Sequence, residues 1–181
     1  MSRWLAPILS FTAEDISASI PGSTGDSVHL KNWYDGLFEL TEEDSLNHEY
    51  WDLVLQLRTA VSKQLEPLRV SKTIGSSLDA EIDIYCGNEL KDKLDALGDE
   101  LRFVFLTSYA RVHLAETQPD DTEAAEIGEQ SVWIKASASS HEKCTRCWHH
   151  REDVGQHSEH TELCGRCVDN VDGDGESREF A

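Results

Sequence analysis

The chain has 181 residues, and its 35 acidic side chains outweigh 16 basic ones to give a net charge of −19. Its composition is typical of one or two small folded domains, and no run of about 18 apolar residues could cross a membrane. The negative field should repel polyanions, which excludes a protein that coats nucleic acid non-specifically. The N-terminus lacks a secretory signal pattern, so we expect a cytoplasmic protein.

The first 78 residues are predicted to be mostly helical. Thr12-Ala-Glu-Asp15 resembles a capping box that would begin a helix after the apolar N-terminal segment. The clearest pattern is an apolar stripe from about residue 45 to residue 70, which indicates a long helix. Pro67 should kink or shorten its last turn. We expect two or three helices to pack on this stripe as a small bundle.

A different periodicity begins at residue 79. Apolar and polar side chains alternate over residues 80–86, which indicates a half-buried strand with Cys86 on its inward face. Arg102–Ser108 and Ser131–Ala136 predict two further strands, and short helices are expected between the first strand and the second. The acidic segment 117–130 is predicted to be a mobile connection.

Four of the five cysteines form two tight pairs, Cys144-Thr-Arg-Cys147 and Cys164-Gly-Arg-Cys167. Each pair can point two sulfurs at one tetrahedral zinc ion, and four thiolates leave no open coordination position. We therefore expect one structural zinc. Two disulfides, a redox pair and an iron–sulfur cluster are weaker alternatives, because no oxidising compartment or strand–helix–strand context is indicated and the paired spacing favours zinc.

These patterns divide the chain into three parts: residues 1–78, 79–137 and 138–181. The predicted fold class is mainly an α-helical bundle, followed by a small α+β unit and a C-terminal four-cysteine zinc finger. The last part contains few large apolar residues. Metal binding must therefore supply much of the free energy that folds it.

Basic and aromatic side chains surround the cysteines. Guanidinium groups bind phosphate and an indole can stack on an unpaired base, so these groups are candidates for nucleic-acid contact. For Trp148, packing against the metal-binding turn is an equally good alternative. The nearby histidines, including His149, are expected to be exposed and neutral rather than metal ligands, because four cysteines complete the coordination sphere.

Several stretches follow a known family pattern in collinear order. They are Arg3-Trp-Leu-Ala-Pro-Ile-Leu-Ser-Phe-Thr-Ala-Glu14, Leu65-Glu-Pro-Leu-Arg69, Lys72-Thr-Ile-Gly-Ser-Ser-Leu-Asp-Ala80, Lys143-Cys-Thr-Arg-Cys-Trp148, Glu159-His-Thr-Glu-Leu-Cys-Gly-Arg-Cys-Val168 and Gly173-Asp-Gly-Glu-Ser-Arg-Glu-Phe-Ala181. The first three resemble the anticodon-binding helical domain of bacterial isoleucyl-tRNA synthetases, and the last three resemble the C-terminus of that family. The resemblance covers nearly the whole chain.

This resemblance implies a tRNA-binding region of a larger ligase. The family's nucleotide site needs a His-x-Gly-His stretch and a Lys-Met-Ser-Lys-Ser loop, and the sequence contains neither. The resemblance therefore assigns no catalytic residue here, and ATP belongs only to the full-length enzyme. We expect a monomer whose partners are isoleucine tRNA and the remainder of the synthetase. The RNA contacts that the resemblance implies are Lys143, Arg146, Trp148, Arg151, Arg166 and Arg178.

Two other functions remain open. The same type of finger occurs in formamidopyrimidine-DNA glycosylases, which would make this a DNA-binding module. Those enzymes need an N-terminal catalytic amine, commonly on proline, and a helix–two-turn–helix before the finger. Met1-Ser2 does not supply the amine, and the predicted α+β unit stands where that helical motif would be. The third possibility is a purely structural tail that docks on the rest of a synthetase.

Overall fold

Short helices form the first of two units in the computed structural model, which describes residues 1–180. This unit, Met1–Thr41, contains helix α1 (Ser2–Leu5), helix α2 (Ser10–Ser19) and a 3-10 turn (Val28–Leu30). The predicted capping box is wrong, because α2 begins before Thr12. The Glu14 carboxylate instead accepts hydrogen bonds from the Ser27 hydroxyl (3.0 Å) and the Val28 amide (2.9 Å), which ties the loop to the helix.

The long predicted helix is confirmed as α3, His48–Val70, in the second unit, which begins at Glu42. The side chain of Asn47 accepts a hydrogen bond from the Tyr50 amide (3.0 Å), so it satisfies one of the free N–H groups at the helix start. α3 continues through Pro67 to its end, so the proline does not shorten it. No helix within residues 1–180 combines the length and apolar character that a membrane crossing requires.

A four-stranded mixed sheet lies at the centre of the second unit. Its strands are β1 (Ala80–Cys86), β2 (Tyr109–Leu114), β3 (Glu123–Ile127) and β4 (Gln130–Ala138). The spatial order is β2-β1-β4-β3, with β1 parallel to β2 and antiparallel to β4. In this register, Ile84 lies between Val112 and Ile134. The strands predicted at residues 80–86 and 131–136 are thereby confirmed.

The apolar stripe of α3 packs on this sheet rather than on other long helices. Val54, Leu57 and Val61 belong to the same buried cluster as Ile84 and Ile134. Predicting mainly a helical bundle was therefore wrong, because the stripe covers one face of a sheet. The prediction for Cys86 is confirmed: the side chain is fully buried in the cluster, and burial raises the pKa of its thiol to about 11.

A helical crossover joins β1 to the parallel β2, as parallel strands require. It consists of α4 (Asn88–Asp95), a 3-10 turn (Gly98–Glu100) and α5 (Leu101–Phe105). The strand predicted at Arg102–Ser108 is wrong: this apolar run forms α5, and the C-cap residue Leu106 that follows the helix lies in the left-handed region (φ 58°). The acidic segment predicted as a mobile connection contains β3.

Candidate metal centre and its surroundings

Two tight turns bring four sulfurs together after β4. Cys144 and Cys147 lie on the first turn, where the Trp148 amide donates to the Cys144 carbonyl (2.9 Å). Cys164 is the N-cap of α6 (Gly165–Asp172), and Cys167 lies in the first turn of that helix. This places all four Sγ atoms within 4.8 Å of one another, as the sequence pattern predicts.

The donor set fits zinc in spacing and in chemistry. Four sulfurs about 2.3 Å from a tetrahedral ion lie about 3.8 Å apart, and the Sγ atoms of Cys147 and Cys164 are 3.7 Å apart. The hydrogen bond between these two sulfurs lowers the pKa of Cys147 and raises the pKa of Cys164, and a bound cation would favour the thiolate form of both. Four thiolates fill a tetrahedral sphere, so the residues describe one structural zinc rather than a catalytic one.

Groups around the sulfurs support the second turn. The Cys164 amide donates to the Cys144 sulfur (3.4 Å), and the Gly165 amide donates to the Asp153 carboxylate (2.7 Å). A side chain at Gly165 would bring its Cβ to 2.9 Å from that same carboxylate, so the Asp153 side chain would have to shift. The guanidinium of Arg146 reaches the Cys167 sulfur (3.6 Å) and offsets part of the thiolate charge.

The first turn is attached to the sheet by hydrogen bonds. Ser108, which is fully buried between α5 and β2, accepts from the His150 amide through its hydroxyl (2.6 Å) and from Arg151 through its carbonyl (3.2 Å). Lys143 and His150 both approach the carboxylate of Asp79, at 3.4 and 3.3 Å. These contacts fix the position of the first turn relative to β1 and β2.

Comparison with known proteins gives two results. A family model described as a zinc finger found in FPG and IleRS matches residues 142–170. Along its whole length the chain is similar to proteins named isoleucine–tRNA ligase: 53% identical in Thioalkalivibrio sulfidiphilus (100% of this chain), 56% in Alkalilimnicola ehrlichii (99%) and 46% in Pseudomonas aeruginosa strain UCBPP-PA14 (99%). The chain spans 19% of the length of each of these relatives. The whole chain is therefore similar to the C-terminal regions of proteins named isoleucine–tRNA ligase.

The candidate RNA contacts fall into two groups. Arg146 and Trp148 lie on the surface of the first turn, and the Trp148 indole is 61% exposed. Lys143 is also exposed, beside Asp79. Packing against the metal-binding turn therefore accounts for the smaller part of the indole surface. The Trp148 backbone lies in the left-handed region (φ 67°), which is unusual for a large side chain.

The other three candidates are arginines whose guanidinium groups pair with carboxylates of the protein. The Arg151 guanidinium stacks over the Tyr109 ring (4.1 Å) and pairs with Asp99 (3.7 Å). Arg166 and Arg178 both bind the Glu176 carboxylate, at 3.0 and 2.9 Å. Burial alone would raise the pKa of Glu176, but hydrogen bonds from Arg178 and Arg166 lower it to about 2.

The sequence patterns missed Phe103 and misjudged His149. The ring of Phe103, on α5, is contacted edge-on by His149 (5.7 Å) and by the guanidinium of Arg178 (4.0 Å). His149 is buried rather than exposed, so that prediction is wrong. These residues line a cleft of about 510 Å³ between the crossover and the metal centre. No signal pointed to Phe103, because its apolar run was assigned to a strand.

Proposed function

We propose that this chain is the tRNA-binding, anticodon-recognising region of a cytoplasmic isoleucine–tRNA ligase. It would support the ATP-dependent attachment of isoleucine to its tRNA, with catalysis, editing and ATP binding supplied by the remainder of the enzyme. Residues 1–78, 79–137 and 138–181 would be its helical, α+β and zinc-finger parts. The similarity to ligases over the whole chain favours this function over a glycosylase-type DNA module, with which only the finger is shared.

The observation that carries the proposal is the exposed Trp148 side chain on the turn that holds Cys144 and Cys147. Trp148 follows Cys147 directly, so the zinc site limits the motion of its backbone. A rigid exposed ring can stack on an unpaired anticodon base at little entropic cost, and Arg146 beside it can bind a phosphate. Recognition through such a local pair is compatible with a net charge of −19, since long-range attraction is not required.

We assign the direct contacts to Trp148 and Arg146, with Lys143 in a secondary role. Arg151, Arg166 and Arg178 would contribute mainly by shaping the surface, because their guanidinium groups pair with carboxylates of the protein. The family resemblance instead implies Trp148, Arg146, Arg151 and Arg166 as the main contacts, with Lys143 and Arg178 secondary. Our assignment follows from exposure: Trp148 and Arg146 lie on the surface, although Arg146 also reaches the Cys167 sulfur, whereas Arg151 and Arg166 are half-buried.

Binding of isoleucine tRNA measured at several salt concentrations tests the proposal. Trp148→Ala should weaken binding about tenfold, since stacking on one base is worth about 1–3 kcal/mol. Arg146→Ala should also lower the slope of log affinity against log salt by about one, because one phosphate contact is lost. Leu114→Ala removes an exposed apolar side chain from β2 and should leave the affinity unchanged.

Three outcomes would contradict the proposal in different ways. Tighter binding of duplex DNA than of tRNA would favour the glycosylase-type module. Unchanged tRNA affinity in both variants would favour a tail that only docks on the rest of the synthetase. A complete ligase that aminoacylates equally well without residues 141–181 would exclude any role of the zinc finger in the reaction.

A further inference from the structure

The last described residues connect the metal centre to the crossover between β1 and β2. We call residues 176–180 the C-terminal strap. At one end of the strap, the Glu176 carboxylate accepts hydrogen bonds from Arg166 (3.0 Å) and Asn170 (3.1 Å), both on α6. At the other end, the amides of Glu179 and Phe180 donate to the Glu100 carboxylate at 2.6 and 2.8 Å.

Arg178 lies in the middle of the strap and contacts both sides. Its guanidinium donates to Glu176 (2.9 Å) and lies 4.0 Å from the centre of the Phe103 ring. A cation over an aromatic ring is attracted to its face, and a bidentate carboxylate contact fixes the direction of the guanidinium. Arg178 therefore links α6, which carries Cys167, to α5, which carries Phe103.

Contacts on two sides hold the metal centre against the rest of the second unit. The first turn is bound through Ser108 and Asp79, as described above, and the second turn is bound through the strap to Glu100 and Phe103. A body held at one place can still rotate about that place. The strap adds to the Arg151–Asp99 and His149–Phe103 contacts on the side of the crossover, so it helps to fix the orientation of the zinc-bound turns.

We infer that the C-terminal strap positions the zinc module, and that Arg178 and Glu100 are positioning residues rather than RNA contacts. For tRNA recognition the inference rests on the proposed function, since orientation matters there only if Trp148 and Arg146 meet RNA. The mechanical part stands by itself, because it concerns only contacts within the chain.

Hydrogen exchange of the zinc-loaded full-length chain, without RNA, tests the mechanical part. Glu100→Ala removes the acceptor for two strap amides, and we expect exchange in α6 to become about tenfold faster while β1 and β4 are unaffected. Glu100→Gln retains one acceptor and should have a smaller effect. Asp92→Ala, which removes an exposed acidic side chain from α4, is the matched control. Unchanged exchange in α6 would overturn the inference.

Binding of isoleucine tRNA then separates positioning from direct contact. Removal of an acidic side chain should favour a polyanion, so Asp92→Ala should bind slightly more tightly. Glu100→Ala should nevertheless bind about fivefold more weakly, because the RNA-facing turn is misoriented. Arg178→Ala should show a similar loss with an unchanged salt slope and one zinc per chain.

Each alternative result of the binding experiment has a distinct meaning. A salt slope lowered by about one in Arg178→Ala would show that Arg178 contacts a phosphate, which would overturn its positioning role. Normal tRNA affinity in Glu100→Ala would overturn the link between the strap and recognition. If tRNA binding by the chain and aminoacylation by the complete ligase are both unchanged when residues 141–181 are removed, the proposed function fails. The exchange result still decides whether the strap orients the metal centre.

Discussion

The sheet region and the zinc module solve the same folding problem in different ways. In the sheet region, Ile82, Ile84 and Leu57 are fully buried and form a continuous apolar core. In the zinc module, the buried cluster consists of cysteines, with only Val154 and Leu163 packed against them. Apolar burial contributes about 25 cal/mol per Å², and so short a segment has little apolar area to bury. The zinc module can therefore be ordered only if a cation replaces the missing apolar core.

Removal of zinc should produce the largest effect of any change and should separate the two regions. Structural zinc contributes about 10–16 kcal/mol of apparent binding free energy in small fingers, and here that energy folds residues 141–180. After complete chelation we expect amide protection to disappear from these residues while β1, β4 and α3 stay protected. Hydrogen exchange with mass spectrometry measures both regions in one sample. If residues 141–180 keep their amide protection without metal, zinc does not take the place of an apolar core in this module.

A cavity in the sheet region should destabilise the sheet while the zinc content stays the same. Ile84→Ala leaves a void between β2, β4 and α3, which should cost about 2–5 kcal/mol of unfolding free energy. Urea denaturation followed by far-ultraviolet circular dichroism provides the measurement, and zinc content of the folded protein should remain one ion per chain. Leu55→Ala, on the exposed face of α3, should cost much less. Equal costs would mean that the sheet is not the centre of the fold.

The junction between the two regions should show an intermediate effect. Ser108→Ala removes a buried hydroxyl that accepts from the His150 amide and donates to the Leu78 carbonyl. Two buried backbone groups lose their partner, so we expect a loss of about 1–3 kcal/mol in unfolding free energy. Ser131→Ala, at an exposed position of β4, is the control. A loss confined to the sheet region, with unchanged exchange in residues 144–151, would show that this hydroxyl does not join the two.

The smallest effect concerns Cys86 and high pH. Its thiol has a pKa of about 11 in the folded chain against a usual value of 9.0, so the unfolded chain releases its proton first. Its contribution to stability is complete below pH 9 and is lost as the pH rises through 11. Alkylation at pH 8 should modify none of the five cysteines in the zinc-loaded protein and four after chelation. Rapid labelling of Cys86 in the chelated protein would show that the sheet core also opens.

Where periodicity was long or strict, the sequence predicted the structure. The apolar stripe of α3 and the alternation in β1 each repeat a pattern several times, and both are confirmed. The cysteine pair occurs twice, and the structure brings the four sulfurs together as predicted. The partner of the stripe was missed because a helix that packs on a sheet has the same amphipathic pattern as one in a bundle. β2 was missed although Ala110, Val112 and Leu114 alternate with polar residues, because the strand was assigned to the preceding apolar run instead.

The metal ligands could be predicted from the sequence, but the contacts of the side chains around them could not. The spacing of the cysteines is local, so it specifies the two turns directly. Which arginines point outward depends on Glu176, Asp99 and Tyr109, whose proximity is created by the fold. No local pattern distinguishes a paired guanidinium from an unpaired one. The family resemblance assigned six RNA contacts for the same reason, since a sequence match carries residue types without their partners.

Because the backbone at Trp148 is left-handed, the residue that would best stabilise the fold at this position differs from the residue that the proposed RNA contact needs. A glycine there would relax a conformation that costs an L-residue about 1–2 kcal/mol. It would also remove the ring that the proposed RNA contact depends on. Screens that reward only thermal tolerance would therefore be expected to enrich a Trp148→Gly change that weakens tRNA binding, whereas screens for growth should retain the tryptophan.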